Sequence, residues 1–192
     1  MVSTSLQLRP YQEQAVTAIC EQFATHPATL VTMPTGCGKT VVFADVIRRV
    51  IGQGRVMVVA HREELLDQAR DKIERITGIR PDLEMADSRA CDGMFKSPIV
   101  VSSVQTQTAR MNGVGRRMHR FNPQEFALLI VDEAHHAAAD TYRAVIDHYR
   151  TNDRLRVLGV TATPDRHDEK ALGMIFDSVA FERTDRAAWR AN

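Results

Sequence analysis

Short apolar runs alternate with amphipathic stretches along most of the chain. Five of the runs are rich in branched side chains and are nearly continuous in apolar residues: 29–33, 55–60, 99–102, 127–131 and 156–160. Runs of this length are typical of strands that are buried on both faces of a sheet. We therefore predict five strands, each covered on both sides by other elements.

The segments between the strands have helical periodicity. In 63–77 the apolar residues share one stripe, and Gly78 follows in the position of a helix C-cap. Pro10 suits the first turn of a helix that extends to Phe23. Because strands and helices alternate, the predicted fold is α/β, a doubly wound parallel sheet between helices, with ligands at the carboxyl ends of the strands. Two stretches, 81–98 and 111–123, are predicted to be loops or insertions.

Composition narrows the class of protein. The chain has 192 residues, of which 44% are hydrophobic and 26% are charged, a balance that suits one soluble globular domain. No apolar run approaches the roughly 18 residues of a membrane span, and the N-terminus lacks a secretory pattern. We therefore expect no membrane partner and a cytoplasmic location. The formal net charge of +1 neither indicates nor excludes nucleic acid as a partner.

Neither a disulfide framework nor a zinc site is expected. The three cysteines, Cys20, Cys37 and Cys91, are widely spaced and form no C-x-x-C pair. His135 and His136 are adjacent but lack the H-E-x-x-H spacing of zinc proteases. We predict that His136 lies at the surface.

A glycine-bearing turn between the first predicted strand and a helix has the character of a phosphate-binding loop. Gly36 and Gly38 allow the backbone N–H groups to point inward at phosphate oxygens, and the next helix adds its positive N-terminus. Lys39 is expected to reach the β- and γ-phosphates, and the Thr40 hydroxyl to bind Mg²⁺. The predicted phosphate-binding residues are Pro34, Thr35, Gly36, Cys37, Gly38, Lys39 and Thr40.

The general phosphate-loop pattern has a glycine six positions before the lysine, where this chain has Met33. The alternative interpretation is a glycine-rich turn that merely caps a helix. The strand before the turn and the helix after it favour the phosphate loop.

Two carboxylates follow the apolar run at 127–131. Asp132 is expected to bind Mg²⁺, and Glu133 to orient and activate the attacking water as the catalytic base. Acids at the end of a buried strand are costly unless a cation or hydrogen bonds offset them. Alternatively, the pair caps the start of a helix, where acids are also favoured. The phosphate loop upstream in the same sheet favours the catalytic interpretation.

Three motifs, each at the end of a predicted strand, together resemble those of superfamily 2 helicases. The segment 34–40 is similar to motif I, and Asp-Glu-Ala-His at 132–135 matches motif II. Thr-Ala-Thr-Pro at 161–164 looks like motif III. This family routinely lacks the first phosphate-loop glycine, which accounts for Met33. The resemblance spans residues 8–181 and implies a RecA-like P-loop NTPase domain that uses ATP and Mg²⁺, with His135, Thr161 and Thr163 coupling the nucleotide to nucleic acid.

Weaker similarities extend the predicted site. Leu-Arg-Pro-Tyr-Gln at 8–12 resembles the adenine-recognition element of the family, which implies that Gln12 reads the adenine edge and that Arg9 packs near the base. Otherwise Gln12 is a solvated residue of the first helix. The segments 58–65 and 100–106 resemble motif Ia and the next backbone-contacting element. They imply that four residues contact nucleic acid: Arg62, Ser103, Gln105 and Thr106. The alternative is that these residues belong to a helix cap and a charged helix face.

The resemblance also implies a missing part. Family motors hold ATP between two RecA-like domains, and the second domain supplies arginine fingers. Gly-Arg-Arg-Met-His-Arg at 115–120 looks similar to such a motif but precedes the acidic pair, so its arginines are expected to face solvent or DNA. We therefore expect one ATP-binding domain at 1–182, the start of a linker at 183–192 and an absent second domain. This fragment should bind ATP weakly, turn it over slowly and not unwind.

The predicted function is that of the ATP-binding motor domain of a helicase or translocase that acts on nucleic acid, DNA more than RNA. Within the superfamily, the chain resembles the branch of excision-repair helicases and type III restriction motor subunits. The alternative is a P-loop ATPase switch or regulatory module that does not act on nucleic acid. The two classes differ in whether replacement of Arg62 and Gln105 weakens DNA binding.

Overall fold

The computed structural model describes residues 8–61, 66–85, 90, 96–111, 115–162 and 170–183. Within these residues, seven strands form one sheet: β1 Ala28–Thr32, β2 Arg55–Ala60, β3 Asp82–Glu84, β4 Ile99–Ser103, β7 Phe126–Asp132, β8 Arg156–Thr161 and β9 Ser178–Glu182. Their order across the sheet is β3-β4-β2-β7-β8-β1-β9, and every neighbouring pair is parallel. A second, antiparallel pair joins β5 Arg110–Met111 to β6 Gly115–Arg116.

Helices cover both faces of the sheet. They are α1 Pro10–Gln22, α2 Lys39–Val50, α3 Leu66–Thr77, α4 Val104–Thr108 and α5 Asp140–Tyr149. Alternate residues of one strand enter different cores: Val56 and Val58 pack with α1, α2 and α3, whereas Met57 and Val59 pack with α4 and α5. This alternation explains why the strands are apolar throughout. The predicted parallel α/β fold is confirmed.

All five predicted strands exist, with boundaries that move by one residue at most at each end. The segment 81–98 was predicted to be a loop, but it contains the edge strand β3. The segment 111–123, also predicted to be a loop, contains β6 and a 3-10 helix, Arg117–Arg120. Helix α1 begins at Pro10 as predicted and ends one residue earlier. No helix among the described residues is both long and apolar enough to span a bilayer.

Candidate functional site: a phosphate loop facing two carboxylates

The phosphate loop connects β1 to α2. Gly36 and Gly38 have φ of +89° and +78°, a left-handed conformation that favours glycine. Met33 is fully buried, and its N–H donates to the carbonyl of Thr161 at 2.9 Å. The position that carries glycine in the general pattern therefore extends the sheet here and contributes to the core. The Lys39 ammonium lies 3.5 Å from the carbonyl oxygen of Met33.

Two side chains of helix α1 form hydrogen bonds with the phosphate loop. The Tyr11 hydroxyl and the Gln12 amide both donate to the carbonyl of Cys37, at 3.0 and 3.1 Å. The other amide atom of Gln12 accepts the N–H of Arg9 at 3.0 Å. Gln12 is buried, so its interpretation as a solvated residue is wrong. A Cβ at Gly38 would lie 2.5 Å from Gln12 Nε2, so a side chain there would displace the Gln12 amide, and the positive φ also favours glycine.

The acidic pair lies where β7 ends. Asp132 Oδ1 accepts the N–H of Glu133 at 3.0 Å, and Glu133 has φ of +52°, which is strained for a residue with a side chain. Glu133 precedes a 3-10 helix, Ala134–His136, but its side chain makes no capping hydrogen bond. The alternative interpretation as a helix cap is thus not supported for Glu133.

Four charged side chains meet in the cavity that the loop and the acids enclose. The cavity is about 270 Å³ and is lined by Thr35, Gly36, Gly38, Lys39, Thr40, Gln68, Ala69, Lys72, Asp132 and Glu133. Burial and the charge of Glu133 raise the pKa of Asp132, against the opposing effects of the Glu133 N–H and of Lys39 and Lys72. Cavities of about 370 and 330 Å³ lie elsewhere, but neither includes the phosphate loop or the acidic pair.

Sequence reasoning missed the contribution of α3 to this cavity. Gln68 and Lys72 are four positions apart, so they share a helix face one turn apart. Both are exposed, whereas Leu66 and Ile73 of the same helix are buried. The helical periodicity could have shown that Gln68 and Lys72 face away from the core, but not that they face the phosphate loop.

Thr161 contacts both halves of the site. Its carbonyl accepts the N–H of Met33, and its hydroxyl oxygen lies 3.0 Å from His135 Nδ1. The same His135 nitrogen lies 3.4 Å from Glu133 Oε2. The predicted coupling residues His135 and Thr161 are thus in contact, whereas Thr163 lies outside the described residues.

His136 is half-buried and makes ring contacts that the sequence did not predict. Its ring stacks on His61 at a centroid distance of 4.4 Å and lies 6.2 Å from the ring of Tyr142. His61 Nδ1 lies 3.2 Å from the Tyr142 hydroxyl. The stack brings the segment after β7 into contact with the residue that follows β2. Aromatic rings pack favourably at this spacing.

Comparison with known proteins identifies the family. The family model for the res subunit of type III restriction enzymes matches residues 5–166. The chain belongs to this family. It is 31% identical over 189 residues to IRC3 of Saccharomyces cerevisiae, a proposed ATP-dependent helicase, covering 92% of this chain and 26% of that protein. It is 27% identical over 192 residues to the DNA 3'-5' helicase XPB of Kineococcus radiotolerans, covering 95% and 30%.

The fold agrees with this assignment to the res-subunit family. The structure superposes on the Hef helicase domain of Pyrococcus furiosus with a TM-score of 0.77 at 21% identity, covering 95% of this chain and 39% of that one. The chain is therefore a RecA-like domain of the superfamily 2 class, as its motifs predict. It spans 26% and 30% of the lengths of the two relatives.

The predicted nucleic-acid contacts of this family member differ in accessibility. Ser103 caps α4: its hydroxyl accepts the N–H of Thr106 at 3.1 Å and donates to the Thr106 hydroxyl at 2.9 Å. Both side chains are buried, which argues against the prediction that they contact nucleic acid directly. Gln105 is exposed in the first turn of α4. Arg62 lies outside the described residues.

The arginines at 115–120 also differ from the prediction. Arg117 is buried and forms an ion pair with the fully buried carboxylate of Glu84, so it does not face solvent. Arg116 is exposed, as predicted. The ion pair joins the two segments that were predicted to be loops. Its partners are 33 positions apart, so spacing in the sequence could not indicate it.

Proposed function

We propose that this chain binds and hydrolyses ATP as one half of a two-domain motor that moves along or unwinds nucleic acid, with DNA as the preferred partner. The observation that carries the proposal is the meeting of Lys39, Thr40, Asp132 and Glu133 in one cavity. The relatives support the wider function, since one is named a DNA 3'-5' helicase. An RNA helicase, DHX58 of Mus musculus, is also similar at 27% identity, so the preference for DNA is part of the proposal.

The loop and helix α2 would hold the triphosphate. The positive φ of Gly36 and Gly38 turns the backbone into a concave shape, and α2 begins at Lys39 with its N-terminus toward the cavity. The Lys39 ammonium, which now lies near the Met33 carbonyl, would contact the β- and γ-phosphates. Pro34, Thr35 and Cys37 would shape the loop rather than bind through their side chains.

The acidic end of β7 fits a magnesium ion. Asp132 presents a half-buried carboxylate with a raised pKa beside the Glu133 carboxylate, an arrangement that a divalent cation would stabilise. The hydroxyl of Thr40 lines the same cavity. Carboxylate and hydroxyl oxygens are the donors that Mg²⁺ prefers. When bound, the ion would offset charge on the phosphates, while Glu133 would accept a proton from the attacking water.

The adenine contact proposed for Gln12 is limited by its existing hydrogen bonds. Its amide oxygen accepts the Arg9 N–H, and one amide hydrogen is directed to Cys37. One N–H and one lone pair of the amide oxygen remain for the edge of the base. The exposed Arg9 would lie beside that contact.

Coupling would follow the contacts of Thr161. A change at Glu133 on hydrolysis would reach Thr161, the last residue of β8, through His135, and Thr163 follows two positions later in the sequence. Movement would require the second domain, because differential binding of nucleic acid in the open and closed states drives stepping. We place the domain at 1–182 and a linker from 183, and expect slow turnover by this chain alone.

Calorimetric titration of Mg²⁺-ATP into this chain and into Lys39→Ala tests the nucleotide site. We expect the parent to bind and the variant to lose most of the affinity. Glu133→Gln should retain binding but slow turnover about 10²–10⁴-fold in the two-domain protein. A folded parent that binds no ATP, both alone and with the second domain restored, would overturn the proposal.

A further inference from the structure

The β5–β6 hairpin places two arginines opposite each other. Arg110 and Arg116 are register partners in this antiparallel pair, and both are exposed. Opposed side chains in such pairs have Cβ atoms about 5 Å apart, and like charges at that spacing destabilise the pairing. A two-stranded hairpin of this length also has little stability of its own. The hairpin must therefore be held by contacts outside its two strands.

Buried contacts at the base of the hairpin hold it in place. The N–H of Arg117 donates to the carbonyl of Ala109 at 2.9 Å and closes the base. The Arg117 side chain is ion-paired with Glu84, whose second oxygen accepts the N–H of Ala90 at 2.6 Å. Loss of Arg117 would leave the buried carboxylate of Glu84 without this counter-charge. The ion pair thus holds the hairpin, whose two exposed arginines repel each other, against the edge strand β3.

The hairpin is attached at the carboxyl ends of the strands, on the β3 side of the sheet. Glu84 is the last residue of β3 and pairs with Ser102, next to the end of β4. The exposed Gln105 lies in the helix that follows β4. In the order of the sheet, β4 is four strands from β1, which precedes the phosphate loop, and two strands from β7, which carries Asp132; these are roughly 19 and 10 Å at the usual strand spacing. The arginine pair is therefore separate from the phosphate loop but lies on the same chain segment as Gln105.

We propose that Arg110 and Arg116 form a clamp for the phosphate backbone of duplex DNA, continuous with Gln105. The proposal rests on the nucleic-acid function proposed above and names a further binding element for it. Phosphates would relieve the repulsion between the two guanidinium groups, whose planar donors match phosphate oxygens. Contacts of this kind position the duplex without reading its sequence.

The salt dependence of DNA binding tests the clamp. Binding of a labelled duplex to the full chain is measured by fluorescence anisotropy over a series of salt concentrations, beginning at low ionic strength. Each lost phosphate contact should lower the slope of log K against log [salt] by about 0.9, which is about tenfold in affinity at ~0.1 M salt. We therefore expect R110Q and R116Q each to lower this slope by about 0.9, and the double variant to lower it by about twice as much.

Matched variants distinguish the effect of a lost charge from the effect of a disrupted fold. R154Q removes an exposed arginine from the turn before β8, at the opposite end of the strands, and should leave the slope unchanged. Replacement of both clamp residues by lysine should keep the slope, because the charge stays. Unchanged Mg²⁺-ATP affinity in the glutamine variants reports an intact domain. If the double variant unfolds, the single variants decide.

The outcomes distinguish the clamp from the proposed function. A parent chain that binds duplex DNA with a slope unaffected by R110Q and R116Q would overturn the clamp and leave the motor function standing. A parent that binds no nucleic acid even at low salt would overturn the clamp, and the same result with the second domain restored would overturn the motor function as well. Binding of single strands but not of duplex would overturn the assignment of the clamp to duplex DNA.

Discussion

His135 Nδ1 lies 3.0 Å from the hydroxyl oxygen of Thr161, 26 positions further along the chain. The contact joins the 3-10 helix after β7 to the last residue of the neighbouring strand β8. Because the Thr161 carbonyl also accepts the N–H of Met33, one residue contacts both the acidic motif and the start of the phosphate loop. Thr161 is fully buried, so these contacts are shielded from competing water.

Loss of the Thr161 hydroxyl should weaken coupling more than nucleotide binding. Thr161→Val keeps the shape and the backbone contact but removes the partner of His135, a hydrogen bond worth about 0.5–1.5 kcal/mol. We expect the stimulation of ATP turnover by DNA in the two-domain protein to fall about two- to tenfold, since 1.4 kcal/mol is tenfold. Thr161→Ser, which retains the hydroxyl, is the control. Equal stimulation in the valine variant and the parent would contradict the coupling role.

Lys72 should contribute to nucleotide affinity from α3. It lines the cavity with Lys39, and its charge favours the ionised form of Asp132. Lys72→Met should therefore weaken Mg²⁺-ATP binding by about two- to fivefold, as expected for an exposed charge worth under ~1 kcal/mol. The effect should shrink as salt is added, because exposed charges are screened. Arg75→Met, on the same helix but outside the cavity lining, should bind like the parent in calorimetry.

Gly159 has no room for a side chain. A Cβ there would lie 2.4 Å from Phe176 Cζ and 2.9 Å from Leu30 Cδ1, in the middle of β8. Gly159→Ala should lower the free energy of unfolding by about 1–3 kcal/mol, the usual cost of overpacking. The urea midpoint measures this cost. Gly52→Ala is the matched control, because nothing lies within 4 Å of its Cβ position; similar midpoints for the two variants would contradict the packing argument.

His148 should make the fold sensitive to acid. Burial lowers the pKa of His148, and the charge of His119 acts in the same direction, against its hydrogen bonds to the carbonyls of Phe121 and Met118. A pKa that is lower in the folded state contributes stability above the unfolded value of about 6.5, and this is lost as pH falls through the folded pKa. We expect His148→Gln to show a smaller loss of unfolding free energy between neutral and mildly acidic pH. An unchanged pH dependence would exclude His148 as its source.

The amino-acid sequence by itself determined the five central strands of the sheet and the chemistry at their carboxyl ends. Strands such as Arg55–Ala60 and Phe126–Asp132 are buried on both faces, so apolar runs predicted them to within a residue. The phosphate loop and the acidic pair follow strands directly, and parallel strands bring their carboxyl ends together. Local order along the chain was therefore enough to predict that Lys39 and Asp132 would meet.

Only the tertiary structure decided which side chains are buried and which distant segments meet. β3 has three residues and includes Asp82 and Glu84, so it has no apolar run to indicate a strand. Glu84 is buried because Arg117, from another segment, neutralises it. Lys72 in the nucleotide cavity likewise depends on how α3 packs against α2. These contacts depend on three-dimensional packing and on pairing of charges across long separations, for which a one-dimensional pattern has no periodic signal.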